Sequence, residues 1–285
     1  MARIRLIATD LDGTLLRPDG RVSDRTRLAL TDARARGVRI VLATARPVRT
    51  ARMVAAEAAA DDLLICSNGA IVYDLAREIV VAHHPIAQDT VRAVIVALRD
   101  AIPGTCFAFE LGLRWVAEKA WTELRDDCEC HGDDALHLCD EPATKLIVRH
   151  PTASVAELLE AVRALGRDDV TATHSGAPFV ELSAAGVNKA KALGELCQGL
   201  GVPPEDVMAF GDMPNDIPML GWAGRGIAVA NAHADVLAAA DEFTGSNAED
   251  GVAAALERIF PRDALVVARE REFACLTRIE DAPRS

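Results

Sequence analysis

Three short apolar runs near the start of the chain, Ile4 to Thr9, Val38 to Ala43 and Leu63 to Cys66, constrain its fold more than any other feature. They have the length of strands, and their bodies are apolar throughout, without the polar alternation of a strand that has one face in water. Helical patterns separate them. Ser23 is placed to cap a helix over Thr26 to Arg36 that stops at Gly37, and a second helix over Pro47 to Ala60 carries proline in its first turn. Apolar strands alternating with helices predict a parallel sheet covered on both faces.

The rhythm changes after Gly69. Ala70 to Tyr73 and Glu78 to Ala82 read as a hairpin turning at Leu75 to Arg77. From Pro85 to about Gly186 the pattern gives a helix (Thr90 to Asp100), strands (Cys106 to Glu110, Arg114 to Ala117, Lys145 to Arg149), a helix (Val155 to Gly166) and two more strands (Val170 to His174, Phe179 to Leu182). Strands paired without intervening helices predict an antiparallel α+β unit. Alternation then resumes: a helix over Asn188 to Leu200, a strand Val207 to Phe210, a short helix Asp216 to Gly221, a strand Gly226 to Val229, and helices near Asp235 and Gly251. The expected fold class is therefore α/β: a Rossmann-like core with a parallel sheet, formed by residues 1–84 and 186–261, and an inserted α/β cap over 85–185. Residues 262–285 are a charged tail, expected to hold a last helix and a frayed end.

Charge removes several classes of partner. With 31 Lys and Arg against 43 Asp and Glu the chain carries −12, and no basic run breaks that balance, so neither nucleic acid nor an anionic membrane is an expected partner. Candidate spans such as Val91 to Leu98 are interrupted by Arg92 and Arg99, well short of the roughly 18 apolar residues a membrane helix needs. Arg3 and Arg5 are followed by only Leu6, Ile7 and Ala8 before Asp10, too little for a secretory leader. A cytoplasmic monomer or homodimer is expected. Seven cysteines (66, 106, 128, 130, 139, 197 and 275), odd in number and irregularly spaced, read as reduced thiols.

Ligands of an open parallel sheet bind beyond the carboxyl ends of its strands. The first strand runs into Asp10-Leu11-Asp12-Gly13-Thr14, the second into Thr44-Ala45-Arg46, the third into Ser67-Asn68-Gly69, and the strand after the insert into Gly211-Asp212-Met213-Pro214-Asn215-Asp216; Lys189 opens a helix nearby. Asp10, Asp12, Asp212 and Asp216 gathered at one edge would repel one another, so a cation is required. Hard oxygen donors without a convergent histidine or cysteine favour Mg²⁺ over Zn²⁺. Magnesium held by few carboxylates commonly shares its shell with a phosphate, which a threonine hydroxyl and a lysine would also bind, and phosphoryl transfer follows.

At this point Asp10-Leu11-Asp12-Gly13-Thr14, Thr44, Lys189 and Gly211-Asp212-x-x-Asn215-Asp216 resemble the four motifs of the haloacid dehalogenase (HAD) superfamily. Ser67-Asn68-Gly69-Ala70, the position of the insert, Ala228-x-x-Asn231-Ala232, Asp241 and Asn247-x-x-Asp250-Gly251-Val252 resemble its Cof-type hydrolases, sugar-phosphatase-like members with an α/β cap. The resemblance covers about residues 4–260. It implies Asp10 as a nucleophile forming an aspartyl-phosphate, and Asp12 as general acid and base. It implies Mg²⁺ held by Asp10, the Asp12 carbonyl and Asp212, with Asp216 an outer ligand through water or the orienter of Lys189. Thr44 and Lys189 would bind phosphoryl oxygens. Arg46, Asn68, Gly69 and Asn215 join them as substrate-binding candidates. Pumps of the superfamily carry threonine at the position of Asp12 and dehalogenases lack its acid, so hydrolysis is favoured. Ala45 and Ala190 stand where relatives commonly have glycine, which would slightly reshape the phosphate pocket if either position needs a left-handed backbone or very close backbone approach.

Blander readings stay open for single residues. Asp10 and Asp12 could be turn residues, Asp212 and Asp216 helix caps, and Lys189 a solvated helix-start lysine. Cys128-Glu129-Cys130-His131 with His137 and Cys139 lacks the spacing of a zinc site and reads as a cap loop. Arg114, Lys145, His150, His174 and Glu181 are the polar cap candidates, each more readily surface or support than substrate contact. With one Tyr, three Trp and seven Phe no aromatic platform is evident, which tilts the substrate toward small polar phosphates. The expected activity is Mg²⁺-dependent hydrolysis of small phosphorylated metabolites, with a sugar phosphomutase or a non-catalytic phospho-ligand module as alternatives.

Overall fold

The computed structural model describes residues 3–58, 60, 63–121, 131–132 and 134–261. The chain runs through β1 (Leu6–Thr9), α1 (Asp24–Ala35), β2 (Arg39–Ala43), α2 (Val48–Glu57), β3 (Leu63–Cys66) and a hairpin of β4 (Ile71–Asp74) and β5 (Ile79–His83). It continues through α3 (Gln88–Ala101), β6 (Cys106–Leu111), β7 (Arg114–Glu118), β8 (His131–Gly132), α4 (Ala135–Leu138), β9 (Lys145–Arg149), α5 (Val155–Ala164), β10 (Val170–Thr173) and β11 (Val180–Ala184). It returns through α6 (Lys189–Leu200), β12 (Val207–Gly211), α7 (Ile217–Trp222), β13 (Arg225–Ala228), α8 (Ala234–Ala239), β14 (Glu242–Phe243) and α9 (Gly251–Ile259).

Among the described residues the first sheet has the order β14-β13-β12-β1-β2-β3-β4-β5, parallel from β14 to β3 and antiparallel across the hairpin. Its alternating side chains feed two layers. Ile7, Ile40, Leu42, Leu64 and Phe210 pack under α1, α2 and α9. Leu6, Ala8, Val41, Ile65 and Ala209 pack under α6 and α7. Two buried layers explain why the strands read as continuously apolar.

The second sheet, β10-β11-β9-β6-β7-β8, is antiparallel except between β7 and β8. One face is oily: Phe107, Phe109, Leu146, Val148, Val180 and Leu182 pack against Val91, Ile95 and Leu98 of α3 and Leu158 and Val162 of α5. The other face turns toward the first sheet and mixes Ala108 and Ile147 with the buried, charged Glu110, Lys145 and Glu181. The fold class expected from the sequence, a mainly parallel core plus a separate antiparallel cap sheet, is the one observed.

The helices begin where short side chains can cap them. The Ser23 hydroxyl accepts from the Thr26 N–H, Ser154 forms a capping box with Glu157, and Asn188 accepts from the Lys191 N–H. Two-residue β8 and β14 and four-residue α4 leave no periodicity to read, and α2 ends at Glu57 short of the expected Ala60. The tail, with Cys275, and the pair Cys128 and Cys130 lie outside the described residues. No helix among the described residues is long and apolar enough to cross a membrane.

Candidate active site

Neighbouring strands β12, β1, β2 and β3 end side by side, which brings four polar loops together. Asp10 leaves β1 with its N–H on the Phe210 carbonyl at 3.0 Å, tying it to β12. The turn that follows needs glycine: Gly13 has φ +83°, and a Cβ there would lie 2.3 Å from Asp212 Oδ2. Thr14 Oγ1 donates to Asp212 Oδ1 at 2.8 Å. Asp216 folds back so that its Oδ2 accepts from the N–H groups of Asp212 and Met213, at 3.1 and 3.0 Å. Lys189, at the start of α6, donates from one Nζ to Asp10 Oδ1 (2.5 Å) and Asp216 Oδ1 (2.7 Å).

Asp10, Asp212 and Asp216 are buried, and each offers a carboxylate oxygen within 4.8 Å of the others. A single ammonium faces them. Burial pushes Asp10 well above the usual carboxylate range; Lys189 pulls it down, and Asp216 and Asp212 push it up again. Burial, followed by Asp216, raises Asp212 to about 6 against the opposing Thr14 hydroxyl. Burial disfavours the charged form of Lys189, but Asp10 and Asp216 outweigh it and hold the ammonium above its ordinary value. Three carboxylates and one ammonium are under-neutralised, and the donors are all hard oxygens, so the cluster suits a hard divalent cation. Among the described residues it is the one acid, histidine or thiol group placed to hold a metal.

Asp12 stands apart from that cluster. Its side chain is about half exposed and accepts two hydrogen bonds from Arg46, Nε at 2.7 Å and Nη2 at 2.5 Å. Thr44 is buried beside them, its hydroxyl oxygen accepting from the Arg46 N–H at 3.0 Å. On the other flank Ser67 and Asn68 have φ of +50° and +57°, a left-handed conformation that costs a non-glycine residue energy and concentrates at working sites. Asn68 accepts from Asn215 Nδ2 (3.0 Å) and donates to Glu181 Oε2 (3.3 Å). Gly69 has φ +101°, and a Cβ there would meet the Asn188 carbonyl oxygen at 2.4 Å. All ten residues singled out in the sequence therefore lie at this edge of the sheet. Neither Ala45 nor Ala190 has a left-handed backbone, so neither position needs glycine on that ground.

A cavity of about 440 Å³ opens between this edge and the second sheet, with Asp10, Asp12 and Arg46 on one side and Glu110, Lys145 and Glu181 on the other. Lys145 Nζ donates to Glu181 Oε1 (2.6 Å) and to the Ala45 carbonyl (2.5 Å), and stands 3.8 Å from Glu110. Ser67 Oγ donates to Glu110 Oε2 at 2.5 Å. Trp115 and Phe179 add an aromatic wall that composition did not suggest. Lys145 and Glu181 were visible as cap candidates, whereas Glu110 was passed over. Its signal was a carboxylate within an otherwise apolar strand, which demands a partner or a ligand. Arg114, which pairs with Glu141, His150 and His174 do not line the cavity. Cys66, Cys106, Cys139 and Cys197 are free and buried, and burial raises their thiols, which leaves them poor nucleophiles.

Comparison with known proteins agrees with this geometry. The family model described as haloacid dehalogenase-like hydrolase matches residues 7–256. The chain is 32% identical to a 5-amino-6-(5-phospho-D-ribitylamino)uracil phosphatase of Bacillus subtilis, over 89% of this chain and 94% of that one. It is also 32% identical to an HMP-PP phosphatase of Klebsiella pneumoniae, over 80% and 85%. A crystal structure of a haloacid dehalogenase-like hydrolase from Bacteroides thetaiotaomicron superposes with a TM-score of 0.75 at 27% identity, covering 90% of this chain and all of the other.

Proposed function

This chain belongs to the haloacid dehalogenase-like hydrolases, in their Cof-type branch, and from that premise we propose a Mg²⁺-dependent phosphatase that works through an aspartyl-phosphate on Asp10. It is a phosphatase of small phosphorylated metabolites; the intermediate, the metal and the individual roles are our reading. The observation that carries it is the buried Asp10-Asp212-Asp216 cluster facing one lysine, directly beneath the cavity, with Asp12 at its side.

Asp10 has one carboxylate oxygen held by Lys189, and its other oxygen attacks phosphorus as the ester oxygen departs. Asp12 rests on Arg46 until the substrate arrives, then protonates the leaving oxygen and later takes a proton from the attacking water. Lys189, with the Thr44 hydroxyl, receives the phosphoryl oxygens, while Asn68, the Gly69 turn, Asn215 and Arg46 shape the pocket around them. Asp10, Asp212 and the Asp12 carbonyl would hold Mg²⁺, with Asp216 behind them; when bound, the ion neutralises charge on the cluster and on the phosphate. Residues 85–185 act as the cap: they shield the reaction from water and meet the leaving group.

Sugar phosphates and related polyol phosphates are the substrate class we favour. The Bacillus relative's name places a phosphorylated ribityl chain on a uracil, a leaving group of the same polar kind. Phosphate release from p-nitrophenyl phosphate should require Mg²⁺ and should drop by at least about 10³-fold in Asp10→Asn, which keeps the shape and removes the nucleophile. Near-normal turnover in that variant would refute the assignment.

A further inference from the structure

We infer that Glu110 selects the leaving group by charge, admitting phosphomonoesters whose far end is a neutral or cationic hydrogen-bond donor and excluding those that end in a second anion. The inference rests on the phosphatase reading and adds a specificity-determining residue to it. On the cap side of the cavity two buried carboxylates, Glu110 and Glu181, face one ammonium, that of Lys145. Their hydrogen bonds are unequal. Glu181 receives Lys145 at 2.6 Å and Asn68 at 3.3 Å, whereas Glu110 stands 3.8 Å from the ammonium, beyond hydrogen-bond reach, and receives the Ser67 hydroxyl on Oε2. Glu110 Oε1 is thus an acceptor without a donor among the described residues.

Among the described residues no other cation lines the cap side of the cavity. Arg46 is engaged by Asp12 and Lys189 by Asp10 and Asp216; Arg49 packs on the Trp115 ring behind the wall, with its Nε and Nη1 buried and unpartnered, and does not line the cavity. The cap half of the cavity therefore presents two carboxylates to one lining ammonium, with Glu110 Oε1 free to accept, beside the apolar wall of Trp115 and Phe179. A hydroxyl, amide or ammonium there would complete the Glu110 shell, and a carboxylate or second phosphate would meet repulsion from it.

The test compares kcat/KM for glucosamine 6-phosphate, glucose 6-phosphate and 6-phosphogluconate with Mg²⁺, alongside p-nitrophenyl phosphate. The wild type should hydrolyse the first two at least about tenfold better than the third. In Glu110→Gln, which keeps the size and removes the charge, the penalty on 6-phosphogluconate should shrink by at least about fivefold relative to glucose 6-phosphate, mainly through KM. A residue that only supports the fold would move all three together. Equal wild-type handling of 6-phosphogluconate and glucose 6-phosphate overturns the inference even if the variant fails to fold. If p-nitrophenyl phosphate is cleaved and the ranking is absent, this inference alone falls. If no phosphomonoester is cleaved, the phosphatase reading falls with it.

Discussion

Asp212 shows how burial and like charge make a single residue sensitive to the medium. Its raised value, about 6 against an ordinary 3.8, means that the folded protein holds a proton there which the unfolded chain releases. Stability from this group is complete below about pH 4 and is lost as pH rises through about 6, a change on the order of 3 kcal/mol. Metal-free protein should therefore lose a component of thermal stability between pH 4.5 and 7 that Asp212→Asn does not lose. Scanning calorimetry of both proteins across that range checks it, and identical pH slopes would count against the shift. The same scale shows what one sequence discloses. Asp10, Asp212, Asp216 and Lys189 were legible because each ends a strand or opens a helix, where the fold class alone fixes their meeting place. The turn of Asp12 away to Arg46 was not, since a side-chain rotamer on an exposed loop leaves no trace in spacing.

At the scale of elements, the turn Ser67–Gly69 after β3 joins three parts of the molecule. It touches the cap through Ser67 and Asn68, the β12 loop through Asn215, and the start of α6 through the Asn188 carbonyl beside Gly69. Gly69→Ala would combine a φ of +101° with a Cβ 2.4 Å from that carbonyl oxygen. The expected cost is at least about 2 kcal/mol, seen as a fall in Tm of roughly 4 °C or more, and an unchanged Tm would contradict the close approach. Parallel strands and their helices were readable because their apolar runs exceed any turn signal. The edge strand β14 and the short β8 were not, because two residues carry no period. Glu110 escaped for a related reason: the apolar run of β6 placed it correctly in a strand, but its surroundings depend on Lys145 of the neighbouring β9 and on Ser67 of the first sheet.

Over the whole molecule, polar contacts tie the two sheets together: Ser67 to Glu110, Asn68 to Glu181 and Lys145 to the Ala45 carbonyl. Lys145 reaches from β9 to the carbonyl of Ala45 while neutralising Glu181 beneath. Lys145→Met would leave two buried carboxylates facing each other, at a cost of about 3–5 kcal/mol near neutral pH. Denaturant midpoints of the wild type and the variant at about pH 7.5 decide the matter, and equal midpoints would contradict the buried contact. The organisation of the chain into a parallel sheet with an insert was open to reading from the order of elements; the contact between the sheets was not, since nothing in either segment alone names its opposite number. The insert also leaves and rejoins the parallel sheet at one place: the His84 N–H bonds the Ala70 carbonyl, and the Asn188 carbonyl lies against Gly69 next door. Entrance and exit sharing one doorway means that descent with modification could swap the intervening stretch wholesale, renewing an enzyme's diet while its inherited chemistry stays intact.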